Sequence, residues 1–234
     1  MTVRRPAWLV VALSAACGNL TATEEGVVSL VLFVPQPAEV EVGQALALRA
    51  VALDADGDTL DVPVIWRALD TTLVVDSVSG VLSGRTLGET GRVIARAGAL
   101  YSPAVTFNVI APADTLIRIA AETLFVAPEE KLSGELTVEL RGGDPLEPVA
   151  GRKVVFQVVE PVFPDPEDRT VELSGGVLLA APRTTTTGSP AALRLQRREG
   201  FAAPAEAIVE VSVYRPGGEA LPGSGLRFVI LFAP

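Results

Sequence analysis

The chain has 234 residues, 49% of them hydrophobic, with 19 Lys and Arg against 28 Asp and Glu and a net charge of −9. It holds no histidine and one cysteine, which excludes internal disulfide staples, zinc centres built on His and Cys, and every nucleophilic triad that needs an imidazole base. The acidic balance argues against nucleic acid, whose capture rests on Lys and Arg neutralising phosphates, and against an electrostatic grip on anionic lipid.

The N-terminus reads in three parts. Arg4 and Arg5 form a basic start, 7–13 is an apolar run, and Ser14, Ala15 and Ala16 are small. This is the layout of a secretory signal, and the run is too short for a membrane span, which takes about 20 residues. The stretch Leu13-Ser14-Ala15-Ala16-Cys17 resembles a bacterial lipobox. The resemblance implies that 1–16 is a lipoprotein signal peptide, removed before Cys17, and that Cys17 is acylated on its sulfur and new amino group. The membrane partner would then be reached through a lipid anchor; several acyl chains on one residue hold far more firmly than one. Gly18 stands where an Asp would suggest inner-membrane retention, so the family expectation tilts to the outer membrane, on its periplasmic side or at the cell surface. A plain secretory signal, cleaved without lipid, is the alternative. Without Arg4 and Arg5 there remain 17 basic against 28 acidic residues.

Residues 17–26 are small and polar without period, a flexible tether by composition. From Val27 onward, short runs of Val, Leu, Ile and Thr alternate with clusters of Gly, Pro and Asp about every ten residues, the cue for an all-β sandwich or barrel. The first unit spans 27–110. Its opening strand at 27–34 ends at Pro35-Gln36-Pro37, and Val42-Gly43-Gln44 is a turn. Leu46, Leu48, Ala50 and Ala52 then share one face, with Ala47, Arg49, Val51 and Leu53 opposite. Residues 54–58, Asp-Ala-Asp-Gly-Asp, form a hairpin turn. Strands follow at 62–67, 73–76, 81–84, 91–97 and 104–110. Ala111-Pro112-Ala113-Asp114 marks a boundary, where proline stiffens the connection.

Val42-Gly43-Gln44, the aspartate-rich turn, Val64-Ile65-Trp66, Val74-Val75-Asp76, Gly80-Val81-Leu82-Ser83-Gly84 and Gly91-Arg92-Val93-Ile94-Ala95 occur in the order and spacing of the bacterial Ig-like group 2 domain. The first unit resembles that family over nearly its whole length. The resemblance implies an Ig-like sandwich with Trp66 in its core.

The second unit spans 115–234, with a strand at 132–141, a turn at Gly142-Gly143-Asp144-Pro145, and closing strands at 207–214 and 226–232. Pro148-Val149-Ala150-Gly151-Arg152-Lys153-Val154-Val155-Phe156, and the run from Thr184 through Gly188 to Leu195, resemble segments of bacterial Ig-like group 1 domains of the invasin and intimin type. The resemblance implies a second Ig-like β-sandwich. Helical periodicity is scarce; the best helix candidate, 202–207, is broken by Pro204.

Some residues invite chemistry. Asp54, Asp56 and Asp58 are calcium candidates by oxygen chemistry, but Gly57 sits where a tight turn wants it and the turn reading leads. Trp66, a sugar platform in principle, alternates with Val64 as a core residue would. Asp165, Glu167 and Asp168 share a proline-rich loop and would serve as paired acids or as solvated charges. Arg194, Arg197 and Arg198 form a basic cluster, read equally as a docking patch for an acidic partner and as charged strand edges. No cofactor motif is present. The resemblances imply a membrane-anchored extracytoplasmic lipoprotein with a structural, adhesion or protein-binding role towards a protein or glycan, without enzymatic activity. The alternatives are an accessory subunit docking on the periplasmic side of a membrane complex, and a carboxylate-only hydrolase acting on glycans.

Overall fold

Alternation with period two decides the architecture. Leu46, Leu48 and Ala52 are buried while Ala47 and Arg49 are exposed, because successive side chains of a pleated strand point to opposite faces. The same pattern runs through Thr90–Ala97, which buries Gly91, Val93, Ala95 and Ala97, and through Glu206–Val213, which buries Ala207, Val209, Val211 and Val213. The structure, a computed structural model, describes residues 26–163, 165–173, 183–185 and 190–233. Cys17, its leader and most of the tether lie outside the described residues. Those described are strand, turn and connection apart from one 3-10 turn at Pro166–Asp168, so the chain is all-β as predicted. None of them forms a helix long and apolar enough to cross a membrane.

In the first half, Ser29–Phe33 pairs antiparallel with Arg49–Leu53. Just upstream of the latter, Leu46–Ala47 pairs with Val81–Gly84, which in turn pairs with Leu73–Val75. The other layer starts with Glu39–Glu41, parallel to Val105–Ile110; Thr90–Ala97 and Val64–Ala68 follow, both antiparallel. In strand letters this is A-B-E-D against A′-G-F-C, the two-sheet order of an Ig sandwich. The apolar faces meet in one core, with Leu30, Leu46 and Leu82 from the first layer and Trp66, Val93 and Phe107 from the second.

The second half repeats the order. Thr115–Arg118 pairs with Leu136–Gly142, and that with Ala191–Leu193; Leu195–Arg197 continues the line and pairs with Val171–Leu173. Facing it, Thr123–Val126 runs parallel to Leu226–Phe232, followed by Glu206–Val213, Val154–Glu160 and an added edge strand, Arg183–Thr185. Leu136, Val138 and Leu195 meet Phe156, Val211 and Phe228 in a separate core. No described strand before Ala111 pairs with one after it.

Two expectations shift. The strand predicted at 132–141 is Leu136–Gly142. Upstream of it, the Ser133 amide donates to the Leu195 carbonyl and its Oγ accepts from the Leu195 amide. The segment thus bonds first to the outgoing strand and only then enters the sheet. The broken helix candidate at 202–207 becomes connection and the start of Glu206–Val213. The Thr-rich motif falls partly outside the described residues, which omit 186–189.

Candidate functional site: the junction of the two halves

Val40 faces the first core, so Glu41, the next residue of the same strand, points to the outer side of its sheet. An acid there would ordinarily meet water. Instead its side chain is 1% exposed. The second half covers it with two arginines. Arg152, only 4% exposed, brings Nη2 to 2.6 Å from Glu41 Oε1, a charge contact rather than an aligned hydrogen bond. Arg215, 19% exposed, donates from Nη1 to Glu41 Oε2 at 2.5 Å. Arg152 also donates to the Ala111 carbonyl at 3.1 Å, in the linker itself.

Local structure holds these groups. Arg152 follows Gly151, at φ 77°, and lies two residues before Val154–Glu160. Arg215 sits in a tight turn: its amide donates to the Glu219 carbonyl and its carbonyl accepts from the Gly218 amide. The linker lies against the second half. Ala113 is buried in that core, the Asp114 amide donates to the Arg141 carbonyl, and Asp114 Oδ2 accepts from the Gly143 amide. A Cβ on Gly142 would stand 2.2 Å from the Pro112 carbonyl oxygen, so glycine is what lets the linker pass.

Beside the triplet, an open cleft of about 560 Å³ is walled by both halves. Phe33 and Arg49 line it from the first, Lys153, Tyr214 and Arg215 from the second. Glu41 carried no sequence signal as a site: its arginine partners are more than 100 residues away in sequence, and an acid on the outer face of a strand reads as solvated.

The residues singled out from the sequence fall elsewhere. Asp54 Oδ1 accepts from the amides of Asp56 and Asp58, and the Asp54 amide donates to the Asp58 carbonyl. This closes the hairpin from within, with Gly57 at φ 87°. Among the described residues no group of three or more His, Cys, Asp or Glu is arranged to hold a metal ion. Trp66 is buried against Gly80. Asp165 caps the 3-10 turn by accepting from the Glu167 amide. The three arginines have partners on different segments. Arg194 pairs with Glu135 at 3.2 Å. Arg197 donates to the carbonyls of Val126, Ala127 and Pro128 and lies over Phe232. Arg198 donates to the Glu167 and Arg169 carbonyls and lies over Phe201. The docking-patch expectation thus meets three cations already engaged within the chain.

Among the described residues three carboxylates, Asp76, Asp70 and Glu199, are held below their ordinary range, Glu199 by the hydrogen bond from the Lys131 side chain. Hydrogen bonds from the Ser79 amide, the Ser79 hydroxyl and the Val78 amide hold Asp76 below the ordinary range. The hydrogen bond from the Arg92 side chain does the same for Asp70.

No family model matches the chain, and no curated protein matches it. Among solved structures, the adhesin InvE of Yersinia pseudotuberculosis is similar at 16% identity and a TM-score of 0.40, over 90% of this chain and 61% of that one. Domains 4 and 5 of the S-layer protein SbsC are similar at 15% and 0.33, over 89% of this chain and 99% of that one. The D00-D0 domain of intimin is similar at 14% and 0.30, over 88% of this chain and all of that one. This chain thus spans 61% of the InvE structure's length. Nothing about binding or activity follows from likeness at this level.

Proposed function

We propose that the chain is an extracytoplasmic, membrane-anchored lipoprotein in which two tandem Ig-like domains, 27–110 and 115–234, play a structural, adhesion or protein-binding part without catalysis. The observation that carries this reading is the joint. Glu41, Arg152, Arg215 and the packed linker tie one sandwich to the next, which suits a chain that holds a binding surface in a set direction from its anchor. The strand pairing favours the division, since it never crosses the linker. The tripartite start and Cys17 favour the anchor.

Metabolic labelling with a clickable palmitate analogue, followed by membrane fractionation and protease treatment of intact cells, tests it. The wild-type chain is expected to carry label and to sediment with membranes. Cys17→Ser is expected to lose the label and pass into the soluble fraction. A chain that stays cytoplasmic and unlabelled would sink the reading.

A further inference from the structure

We propose that the cleft between the two halves binds an acidic polysaccharide, a chain of sugar rings bearing carboxylates. This deepens the reading of the chain as an extracytoplasmic binding protein and rests on it for where such a glycan is met.

Charge is the first argument. Three accessible cations line the cleft, Arg49, Lys153 and Arg215, with Arg152 buried in its wall, against one acid, Glu39. Glu41 beneath offsets only one more charge. In a chain with a net charge of −9, a concave site with surplus positive charge is selective for anions. One of the chain's two lysines, Lys153, is exposed on its wall. Arg215 is part-exposed and turned partly towards Glu41, so it can meet a carboxylate while its other contact holds it in place.

The second argument is the pair of aromatic rings. Phe33 is 52% exposed and Tyr214 51% exposed, one from each half, and both line the cleft. Exposed rings at a concave site are platforms for flat, weakly polar faces, such as the C–H face of a pyranose. Arg49 lies over one face of the half-exposed Phe33 ring, 5.2 Å from its centroid, so the cleft presents a cation and a ring together. Rings for sugar faces and cations for carboxylates are the two needs of an acidic glycan. The volume lies within the range of ligand sites, and such sites favour domain interfaces.

The third argument separates a glycan from an acidic peptide. A peptide that adds as a strand to a sheet edge is held mainly by backbone hydrogen bonds. Three lining residues, Pro35, Pro37 and Pro216, have no N–H to donate. A glycan gripped through side-chain charges and rings loses nothing there.

The test is isothermal titration of the full chain in detergent with short polygalacturonate oligomers, neutral malto-oligosaccharides and polyglutamate. Polygalacturonate is expected to bind, more weakly as salt rises, and the other two are not. Lys153→Glu and Tyr214→Ala are each expected to weaken binding roughly tenfold or more. Arg67→Glu, on an exposed strand position away from the cleft, is expected to leave it unchanged. Unaltered thermal unfolding of each variant shows that the fold is kept. Absence of polygalacturonate binding overturns the proposal, as does binding indifferent to both cleft variants. Equal or tighter binding of polyglutamate assigns the cleft to an acidic peptide and overturns it too. These outcomes are read in solution, so they stand or fall apart from the labelling result at Cys17.

Discussion

Gly80 shows how one residue can be dictated from both sides. Its φ of 71° lies where a side chain is strained, and a Cβ there would stand 2.6 Å from Trp66 Nε1. The indole occupies the place a side chain would need. Gly80→Ala therefore costs twice, about 1–2 kcal/mol for the left-handed backbone and about 1–3 kcal/mol for overpacking. Chemical denaturation should register a loss of roughly 2–5 kcal/mol, the sum of those two terms. An alanine variant as stable as the wild type would mean that Trp66 moves aside freely. The tryptophan was legible in the sequence because it alternates with Val64 beside an exposed Ile65. Its contact with Gly80 was not, since nothing local states which glycine a buried ring will rest upon.

The turn between Leu73–Val75 and Val81–Gly84 depends on one carboxylate. Asp76 Oδ1 accepts from the Ser79 amide at 2.7 Å, the Ser79 hydroxyl at 2.8 Å and the Val78 amide at 3.1 Å. These bonds need the ionised form, and they lower its pKa. Stability from Asp76 is therefore present above the ordinary carboxylate value of about 3.9 and is lost as pH falls below it through the lowered folded value. In urea titrations from pH 6 down to pH 2, Asp76→Asn should reduce stability at pH 6 and flatten the acid limb of the profile. An unchanged limb would assign the acid sensitivity to other groups. Elements of this kind were open to a reading from sequence. Leu46, Leu48 and Ala52 alternate with exposed neighbours, and Asp-Ala-Asp-Gly-Asp is turn chemistry by composition. The start of Leu136–Gly142 was not, because Ser133 hydrogen-bonds to Leu195, and such a switch between strands leaves no periodic mark.

At the scale of the molecule, the junction is the part that no window of sequence could disclose. The parity of the strand turns Glu41 outward, and only the packing of the second half against it converts that position into an interior one. The same remoteness makes it sensitive. Removing one partner of a buried ion pair leaves the other charge uncompensated, at a cost of about 3–5 kcal/mol. Glu41→Ala strands both Arg152 and Arg215 and should cost stability in that range. It should also split a shared unfolding transition into two by differential scanning calorimetry. A single transition at the wild-type temperature would show that the linker contacts alone hold the joint.

The parallel pairing at the ends of each half carries a mechanical consequence. Glu39–Glu41 lies along Asn108, Val109 and Ile110, and Thr123–Val126 lies along the final strand from Val229 to Phe232. A pull applied to the two ends of either half would run along these strands, so their hydrogen bonds would resist together, in shear, instead of opening one after another like a zip. Force along the chain would thus load the bonds of each pairing side by side.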